Sequence, residues 1–367
     1  MNIDFANLPL AYREHEEEIK AAALEVMSSA RYILGQETEE LENNLSNFVG
    51  SEYALTCSSG TDALLLAMMA LGIKAGDEVI TTPFTFIATA ETIACLGAIP
   101  VFVDIDENSY NIDVTKIESA ITDRTKAIMP VSLYGQLSDM DAINIIAKKH
   151  SLYVIEDGAQ SFGALYKGKR SGNLSDVGCT SFFPAKPLGC FGDGGAVFTD
   201  DQQVYEKMKA MRIHGQVARY THKYIGMGGR LDNLQAAILK VKLKHYEEDI
   251  RRRQNVAQSY NRNLENKGII LPRIMDQQSS VWAQYTIRIE NRQKVQDALS
   301  RQGIPTAVHY PIPMHLQECF NYLGHKTGDF PVSERCAAEV MSLPMNPYLE
   351  TGEINYITDQ LIKTING

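Results

Sequence analysis

Two hydrophobic periodicities alternate along the first two thirds of the chain. Short apolar runs predict β-strands at residues 78–81, 99–105, 127–133, 152–155, 179–183 and 196–199. Between them, apolar residues recur at helical spacing and predict helices at residues 61–71, 87–96, 140–150 and 202–212. Strands that alternate with helices form a largely parallel sheet with helices on both faces. The alternation therefore predicts the α/β fold class.

A Lys- and Glu-rich helical stretch at residues 231–264 separates this region from a different one. The stretch is long for one globular helix, so it either bridges two domains or breaks near Glu248. The remainder predicts a smaller α+β unit, with strands at 280–289 and 306–310 and helices at 294–302, 332–341 and 353–365. We expect a large domain over residues 1–245, including the N-terminal segment, and a small C-terminal domain over residues 246–367.

Composition and spacing argue against several functional classes. The 367 residues carry 35 Lys and Arg against 45 Asp and Glu, and this net charge of −10 argues against a nucleic-acid binder. No apolar run reaches the ~18 residues of a membrane span, and residues 1–13 lack a signal-peptide pattern. The eight His show no metal-ligand spacing and the six Cys form no CxxC pair. We therefore expect no metal site and a reducing, cytoplasmic location.

Ligands of open α/β sheets bind beyond the carboxyl ends of the strands, and three segments at such positions carry candidate functional groups. The first is Ser58 to Asp62, directly before a helix. Glycine permits close backbone approach there, and the free N–H groups of a first helical turn bind anions. Taken alone, such a segment is more often a plain helix N-cap. It matches neither GxGxxG nor GxxxxGK[ST], so the fingerprints of dinucleotide-binding folds and of nucleotide triphosphatases are missing.

The second segment begins with Glu156 and Asp157, which follow the apolar strand at 152–155. A carboxylate at the mouth of a sheet is poorly solvated and needs a cation or hydrogen-bond donors. The two side chains point to opposite faces of the sheet, so one can be structural and the other functional. A helix-capping role for the aspartate is an equal alternative.

The third segment is centred on Lys186, within the stretch SFFPAKPLG at residues 181–189. Prolines on both sides keep this lysine out of regular helix or sheet, and Phe and Leu side chains surround it with apolar bulk. Desolvation lowers the pKa of an amine and makes it nucleophilic toward carbonyl groups. The alternative is a surface lysine whose stem packs while its amine reaches water. The glycine-rich run at 192–195 then supplies a tight turn.

Together, the three segments suggest one cofactor. Pyridoxal phosphate needs an anion site for its phosphate, an acidic partner for its pyridine nitrogen and a lysine for its Schiff base. Each segment is weak support by itself. Their joint occurrence on a predicted α/β domain is considerably stronger.

The sequence resembles the DegT/StrS family of pyridoxal-phosphate-dependent sugar-nucleotide aminotransferases over essentially its whole length. The resembling stretches are SGTDALLLA (59–67), GDEVITTPFTFIATAE (76–91), PVFVDID (100–106), YGQLSDMDAI (134–143), VIEDGAQSFGA (154–164), TSFFPAKPLGCFGDGGA (180–196), GGRLDNLQAAIL (228–239) and IPTAVHYPIP (304–313). The context of Lys186 and the AVHYPIP stretch resemble the branch that aminates UDP-2-acetamido-2-deoxy-3-oxo-glucuronate. The resemblance implies a fold-type I, aspartate aminotransferase-like architecture with a mixed, mostly parallel sheet. It also implies a homodimer with its active sites at the interface.

The resemblance also implies roles for individual residues. Lys186 is the lysine that holds the cofactor as an imine, Asp157 binds the protonated pyridine nitrogen and Gln160 faces the ring 3-hydroxyl. The phosphate contacts are Gly60, Thr61, Asp62 and Ser181. The ring-stacking aromatic is Phe86, with Phe84 as a nearby competitor, and the sugar or nucleotide contacts are Arg230, His309 and Tyr310. One position departs from the family pattern. The family often has an Asn there that reaches the phosphate across the dimer, whereas this chain has Gly228.

The implied reaction is ping-pong transamination from L-glutamate, releasing 2-oxoglutarate, to a keto nucleotide sugar. The product is an amino sugar for surface polysaccharide such as lipopolysaccharide O-antigen. A dTDP-linked 3-keto sugar or a 4-keto-6-deoxy nucleotide sugar is the alternative substrate. A non-catalytic sugar-binding or regulatory protein on the same fold is an alternative of another class, although the Lys, Asp and Gln are all present. A dehydratase of the same superfamily is disfavoured by Lys186, and a nicotinamide oxidoreductase by the missing glycine fingerprint.

Overall fold

The computed structural model describes residues 3–366, so the outer limits of the expected domains, residues 1–2 and 367, lie outside it. The helices are α1 (Leu8–Arg13), α2 (Glu16–Ser29), α3 (Gln36–Val49), α4 (Gly60–Ala70), α5 (Ala88–Cys95), α6 (Val114–Ile117), α7 (Met140–His150), α8 (Gln202–Met211), α9 (Asn233–Leu264), α10 (Arg292–Arg301), α11 (Pro331–Glu339) and α12 (Thr351–Asn366). The strands are β1 (Tyr53–Cys57), β2 (Glu78–Thr81), β3 (Ile99–Phe102), β4 (Thr125–Ile128), β5 (Tyr153–Asp157), β6 (Leu165–Tyr166), β7 (Lys169–Arg170), β8 (Val177–Ser181), β9 (Gly195–Thr199), β10 (Gln216–Ala218), β11 (Thr221–His222), β12 (Tyr285–Arg288) and β13 (Val340–Leu343). Short 3-10 helices connect some of these elements.

A mixed, mostly parallel sheet forms the centre of the fold. Its strand order is β1-β9-β8-β5-β4-β2-β3. The pairs from β8 to β3 are parallel, whereas β9 runs antiparallel to both of its neighbours, β1 and β8. The carboxyl ends of the parallel strands therefore meet at one edge of the sheet, where the fold class predicts a ligand site. This architecture confirms the predicted fold class.

Helix α4 illustrates why the sequence folds locally as it does. The side chain of Ser59 caps the helix by accepting a hydrogen bond of 3.0 Å from the backbone N–H of Asp62. The helix is apolar on most of its circumference, and it packs into a core cluster with side chains of the sheet such as Leu55, Val79 and Ile155. A helix that is apolar nearly all round is stable only when it is buried. Burial in turn fixes the position of its first turn against the sheet edge.

Helix α9 runs unbroken from Asn233 to Leu264, so of the two alternatives for this stretch the break near Glu248 does not occur. Its first half packs in a cluster beneath the central sheet through Leu239 and Tyr246. Its second half packs through Tyr260 and Leu264 in a separate cluster formed with the C-terminal residues. The helix thus connects two hydrophobic cores. The division of the chain at residue 245 stays a prediction.

The C-terminal part differs from the sequence expectation at two places. The predicted helix at 332–341 ends at Glu339, because Val340 and the next three residues form β13, which pairs antiparallel with β12. The predicted strand at 306–310 is wrong, since Ala307 makes an isolated bridge to Ser342 and the rest of the stretch is irregular. In both cases pairing with β13 decides the structure, and this pairing cannot be read from local periodicity. No helix within residues 3–366 is long and apolar enough to cross a membrane.

Candidate active site

Asp157 is the last residue of β5, at the ligand-binding edge of the sheet, and only 5% of it is exposed. Its Oδ2 accepts a hydrogen bond of 2.7 Å from Thr89 Oγ1, and its Oδ1 accepts one of 3.2 Å from the backbone N–H of Ala159. Burial raises the pKa of the carboxyl, while these two donors and the charge of Lys186 lower it. Among the described residues it forms no ion pair. A buried carboxylate of this kind can accept a further hydrogen bond from a cationic N–H group.

Glu156 precedes it and points to the other face of the strand, into the core. Its carboxylate accepts hydrogen bonds from Ser171 Oγ at 2.6 Å, from the backbone N–H of Gly172 at 2.8 Å and from Ser132 Oγ at 3.4 Å. Burial raises the pKa of this carboxyl as well, and the donors oppose that rise. Glu156 therefore holds a neighbouring loop against the sheet, and it does not line the candidate site.

Lys186 lies in a compact loop between Phe182 and Cys190. The neck of the loop is closed by the backbone N–H of Cys190, which donates to the carbonyl of Phe182 at 2.8 Å. Within the loop, the N–H of Lys186 donates to the carbonyl of Phe183 at 2.8 Å. Burial lowers the pKa of the Lys186 amine, and the nearby Asp157 carboxylate raises it. The amine is therefore desolvated and close to Asp157, which fits a nucleophile better than a surface lysine.

The start of α4 combines the two interpretations of its sequence, since the first turn is capped and also has free amides. Ser59 caps Asp62, whose carboxylate also accepts a hydrogen bond from Ser58 Oγ. Within residues 3–366, the backbone N–H groups of Gly60 and Thr61 donate to no other group. Gly60 lies directly on the end of β8, where a Cβ atom at Gly60 would come within 2.6 Å of Ser181 Cβ. Two free amides and the hydroxyls of Thr61 and Ser181 thus form a small cradle for an anion.

Gln160 is buried beside Asp157 and has a defined amide orientation. Its Oε1 accepts a hydrogen bond of 2.8 Å from the backbone N–H of Tyr134, so its Nε2 faces away from that contact and donates to Tyr310 Oη at 3.1 Å. Phe86 lies across from Tyr310 with ring centroids 5.9 Å apart, and 52% of Phe86 is exposed. Phe84 is fully buried, which leaves Phe86 as the aromatic with a free face.

His309, Tyr310 and Arg230 reach the same region from two other parts of the chain. His309 Nδ1 lies 2.9 Å from Ser342 Oγ, and burial, reinforced by the charge of Lys186, lowers the pKa of its imidazole to about 4. Arg230 follows Gly229, whose carbonyl accepts a hydrogen bond of 3.0 Å from the N–H of Ser58 at the start of the cradle. The guanidinium of Arg230 has no hydrogen-bond or ion-pair partner in the part of the chain that the structure describes.

The structure also shows what stands at the departure from the family pattern. A Cβ atom built on Gly228 would lie 3.2 Å from Cε1 and 3.3 Å from Nε2 of His214. The imidazole of His214 therefore packs against the position where the family often has an asparagine side chain. Any contact across a dimer at this position stays a prediction.

Comparison with known proteins identifies this arrangement. Residues 13–362 match the model of the DegT/DnrJ/EryC1/StrS aminotransferase family. This chain belongs to that family. The UDP-2-acetamido-2-deoxy-3-oxo-D-glucuronate aminotransferase of Pseudomonas aeruginosa is 53% identical over 355 residues, which cover 97% of this chain and 98% of the relative.

Two further relatives extend the comparison. The dTDP-3-amino-3,6-dideoxy-alpha-D-galactopyranose transaminase of Aneurinibacillus thermoaerophilus is 42% identical over 97% of this chain and 98% of its own length. The crystal structure of S. venezuelae DesV in complex with a ketimine intermediate superposes with a TM-score of 0.97 at 39% identity, covering 99% of this chain and 98% of that chain. The chain is thus an aminotransferase that is similar to its relatives from end to end.

The cofactor of this aminotransferase is pyridoxal phosphate, and similar solved structures hold it in its pyridoxamine and pyridoxal forms. The residues present fit that group. The unpaired carboxylate of Asp157 suits a protonated ring nitrogen, the α4 cradle suits a phosphate, and the free face of Phe86 suits an aromatic ring. The buried amine of Lys186 near Asp157 suits the lysine that such a cofactor needs for its imine.

Sequence reasoning missed two residues of this site, Thr89 and Tyr134. Both act on predicted site residues from distant parts of the chain, Thr89 on Asp157 and the Tyr134 backbone on Gln160. One signal was available for Thr89: Thr81, Thr82, Thr85 and Thr89 follow one another at the end of the predicted strand 78–81 and after it. Hydroxyl groups in this position indicate a polar lining at the mouth of the sheet.

Proposed function

We propose that this aminotransferase transfers the amino group of L-glutamate to the 3-keto group of UDP-2-acetamido-2-deoxy-3-oxo-glucuronate. The product would be a 3-amino sugar for surface polysaccharide such as lipopolysaccharide O-antigen. The observation that carries the reaction class is the desolvated amine of Lys186 next to the buried carboxylate of Asp157. The substrate choice is supported by the 53% identity to the P. aeruginosa relative of that name.

An alternative substrate is a dTDP-linked 3-keto or 4-keto-6-deoxy sugar, and the relative from A. thermoaerophilus favours the dTDP-linked 3-keto form. Its identity to this chain is lower, at 42%. A non-catalytic role on the same fold is disfavoured, because the Lys, Asp and Gln that the chemistry needs all lie together at the sheet edge.

We propose that Lys186 holds the cofactor covalently and acts as the general base. When bound, pyridoxal phosphate supplies an electron sink for the carbanion that forms as a proton leaves the donor's Cα. Burial lowers the pKa of the Lys186 amine, which favours the neutral form that can accept that proton. The same amine then returns a proton to the sugar carbon in the second half of the reaction.

The remaining residues would bind and orient. Asp157 holds the ring N–H group and Gln160 faces the ring hydroxyl, with its orientation set by Tyr134. Gly60, Thr61 and Ser181 hold the phosphate, Asp62 lies beside it with its N–H bound to the capping Ser59, and Phe86 stacks on the ring. We assign the sugar nucleotide to Arg230, His309 and Tyr310. The guanidinium of Arg230 suits a diphosphate or carboxylate, and the neutral imidazole of His309 suits a sugar hydroxyl.

We also propose that the protein is a homodimer that works in the cytoplasm. Apolar side chains are exposed along the end of α2 and the segment after it, including Leu24, Met27 and Ile33. This surface contacts the start of α9, three residues after Arg230, because the carbonyl of Tyr32 accepts a hydrogen bond of 2.8 Å from the N–H of Asn233. Ile33→Glu is expected to yield a monomer in sedimentation analysis, whereas Ile145→Glu, at a more exposed position on α7, keeps the dimer. A dimeric Ile33→Glu protein would contradict this interface.

Borohydride reduction tests the role of Lys186 directly. The reduced holoenzyme is expected to carry the cofactor's mass on the peptide that contains Lys186, and Lys186→Ala is expected to lose both this mass and turnover. Lys148→Ala, an exposed residue of α7, serves as the control. Labelling of another lysine, or turnover by Lys186→Ala, would overturn the assignment. Incubating the pyridoxamine form with UDP-linked and dTDP-linked keto sugars, followed by mass spectrometry, then separates the two substrates.

A further inference from the structure

Helix α9 holds the segment that follows the Lys186 loop through two of its side chains. Lys242 Nζ donates a hydrogen bond to the carbonyl of Gly189. Gln235 brackets Phe191, since its Oε1 accepts from the N–H of Phe191 at 2.7 Å and its Nε2 donates to the carbonyl at 3.4 Å. The segment is thereby bound to α9 at two positions, Gly189 and Phe191.

Lys242 and Lys186 line the same small cavity, of about 30 Å³. Its other lining residues include His15, Asp249, Arg253 and Tyr348. Burial lowers the pKa of Lys242 to about 8. Asp249 and Cys190 oppose this shift, and Arg253 adds to it. Among the described residues Lys242 forms no ion pair, so the bond to Gly189 is the polar contact that its amine makes inside the protein.

Within the described residues, the bond from Lys242 is the one hydrogen bond that the backbone of Gly189 makes. Pro184 and Pro187 have no N–H to donate. Gly189 packs tightly, because a Cβ atom there would come within 2.5 Å of the Pro184 carbonyl oxygen. The carbonyl of Gly189 faces α9 across this tight turn. A shift at Gly189 would therefore move the backbone on which Lys186 is carried.

The far end of α9 is fixed to the C-terminal residues. Arg253 Nη1 donates to the carbonyls of Trp282 at 3.1 Å and Met345 at 3.4 Å, and Tyr260 Oη donates to the carbonyl of Pro344 at 2.9 Å. Helix α9 is thus anchored independently of the loop. It can serve as a rigid reference against which the loop is positioned.

We propose that Lys242 is a positioning residue for Lys186. By fixing the carbonyl of Gly189 to α9, Lys242 sets how far the reactive amine of Lys186 reaches into the candidate site. The inference rests on the proposed function of Lys186, since it assigns to Lys242 the placement of that amine. Reactions between groups held in a site lose rate steeply when one group is misplaced by about 1 Å. Loss of the Lys242 side chain is therefore expected to lower kcat. The KM values should change little, because Lys242 does not contact the substrate in this proposal.

The test compares Lys242→Met, Lys242→Arg and the control Lys244→Met, whose lysine lies two residues further along α9 and is exposed. Hydrogen exchange of the peptide covering residues 183–191 is measured in the cofactor-free protein, and kcat and KM in the holoenzyme. Lys242→Met is expected to speed exchange of this peptide severalfold and to lower kcat roughly tenfold, with both KM values within about twofold of the wild type. Lys242→Arg keeps a long cationic donor and is expected to restore most of the wild-type exchange rate and kcat. Lys244→Met is expected to match the wild type in both measurements.

Unchanged exchange and kcat in Lys242→Met would overturn the inference, as would an effect of equal size in Lys244→Met. If Lys242→Met does not fold, Lys242→Gln keeps a polar group in the cavity but is too short to reach Gly189, and the same outcomes apply. Failure of the proposed function gives a different result. Borohydride would then leave Lys186 of the wild-type protein unlabelled, while the exchange comparison would still decide the role of Lys242.

Discussion

The hydroxyl of Thr89 lies 2.7 Å from Oδ2 of Asp157 and donates a hydrogen bond to it. Thr89 is near the start of α5 and Asp157 ends β5, so the contact joins two elements that both face the ligand-binding edge of the sheet. A donor to a buried carboxylate favours its charged form. Thr89 therefore helps to keep Asp157 ionised in a place where burial alone would favour the protonated acid.

Thr89→Val is expected to weaken binding of pyridoxamine phosphate roughly tenfold, because a hydrogen bond to a charged group contributes about 1.5–3 kcal/mol. Pyridoxamine phosphate is the right probe, since it binds without the covalent link to Lys186. Fluorescence titration measures the affinity. Thr92→Val, on the same helix, removes only a hydrogen bond to a backbone carbonyl and is expected to bind normally. Equal affinities for the two variants would show that Thr89 does not support Asp157.

Asp157→Asn is expected to lower kcat by at least roughly a thousandfold, because the ring nitrogen would lose the negative charge that keeps it protonated. The variant keeps the shape of the side chain but can leave Thr89 or Ala159 without an acceptor, so the rate is measured per folded molecule. Single-turnover kinetics with L-glutamate measure the loss. A rate within tenfold of the wild type would contradict the assigned role.

Glu156→Gln, at the neighbouring residue, is expected to lower the stability of the fold and to leave the activity nearly unchanged. Replacing one carboxylate oxygen by an NH2 group leaves Ser171 or Gly172 without an acceptor, so the free energy of unfolding is expected to fall by about 1–3 kcal/mol. Activity per folded molecule should stay within twofold, because Glu156 faces the core. Urea unfolding and active-site titration separate the two quantities. A large loss of kcat with unchanged stability would reverse the roles of the two acids.

Gly60→Ala is expected to weaken binding of pyridoxamine phosphate by tenfold or more, since its methyl group would meet Ser181 Cβ and force the first turn of α4 away from β8. Gly352→Ala provides a matched control, because a Cβ atom there has open space. Titration with the same cofactor form measures both variants. Normal affinity in Gly60→Ala would mean that the phosphate does not bind at this cradle.

His309 is expected to make the protein less stable in acid. Its pKa is lowered to about 4 in the folded chain, against about 6.5 for an unperturbed histidine. Between these two pH values the unfolded chain binds more protons at His309 than the folded chain does. The stabilisation of the folded state by its neutral His309 is therefore fully present above about pH 6.5 and is lost as the pH falls toward 4. Its size is on the order of 3 kcal/mol. Urea unfolding at several pH values should show a shallower acid loss for His309→Gln than for His222→Gln, and parallel curves would contradict the shift.

The sequence predicted the α/β class and the central strands because apolar runs and helical spacing are local signals. Lys186, Asp157 and Gln160 were found by their positions after strands and by their motifs, and the structure brings all three to one edge. Strand β1 and helices α1–α3 were not predicted, and Val340 was assigned to a helix because its pairing with Arg288 is distant in sequence. The contacts of Thr89 and Tyr134 escaped for the same reason, since each depends on how separate elements pack.

The antiparallel insertion of β9 between β1 and β8 has a consequence for synthesis on the ribosome. Cys57 pairs with Gly195, and Gly195 lies directly against Ser59 and Gly60. A nascent chain that has not yet produced β9 therefore lacks one wall of the cradle that we assign to the vitamin's phosphate. On that assignment, translation must pass this strand before the emerging polypeptide can capture its coenzyme.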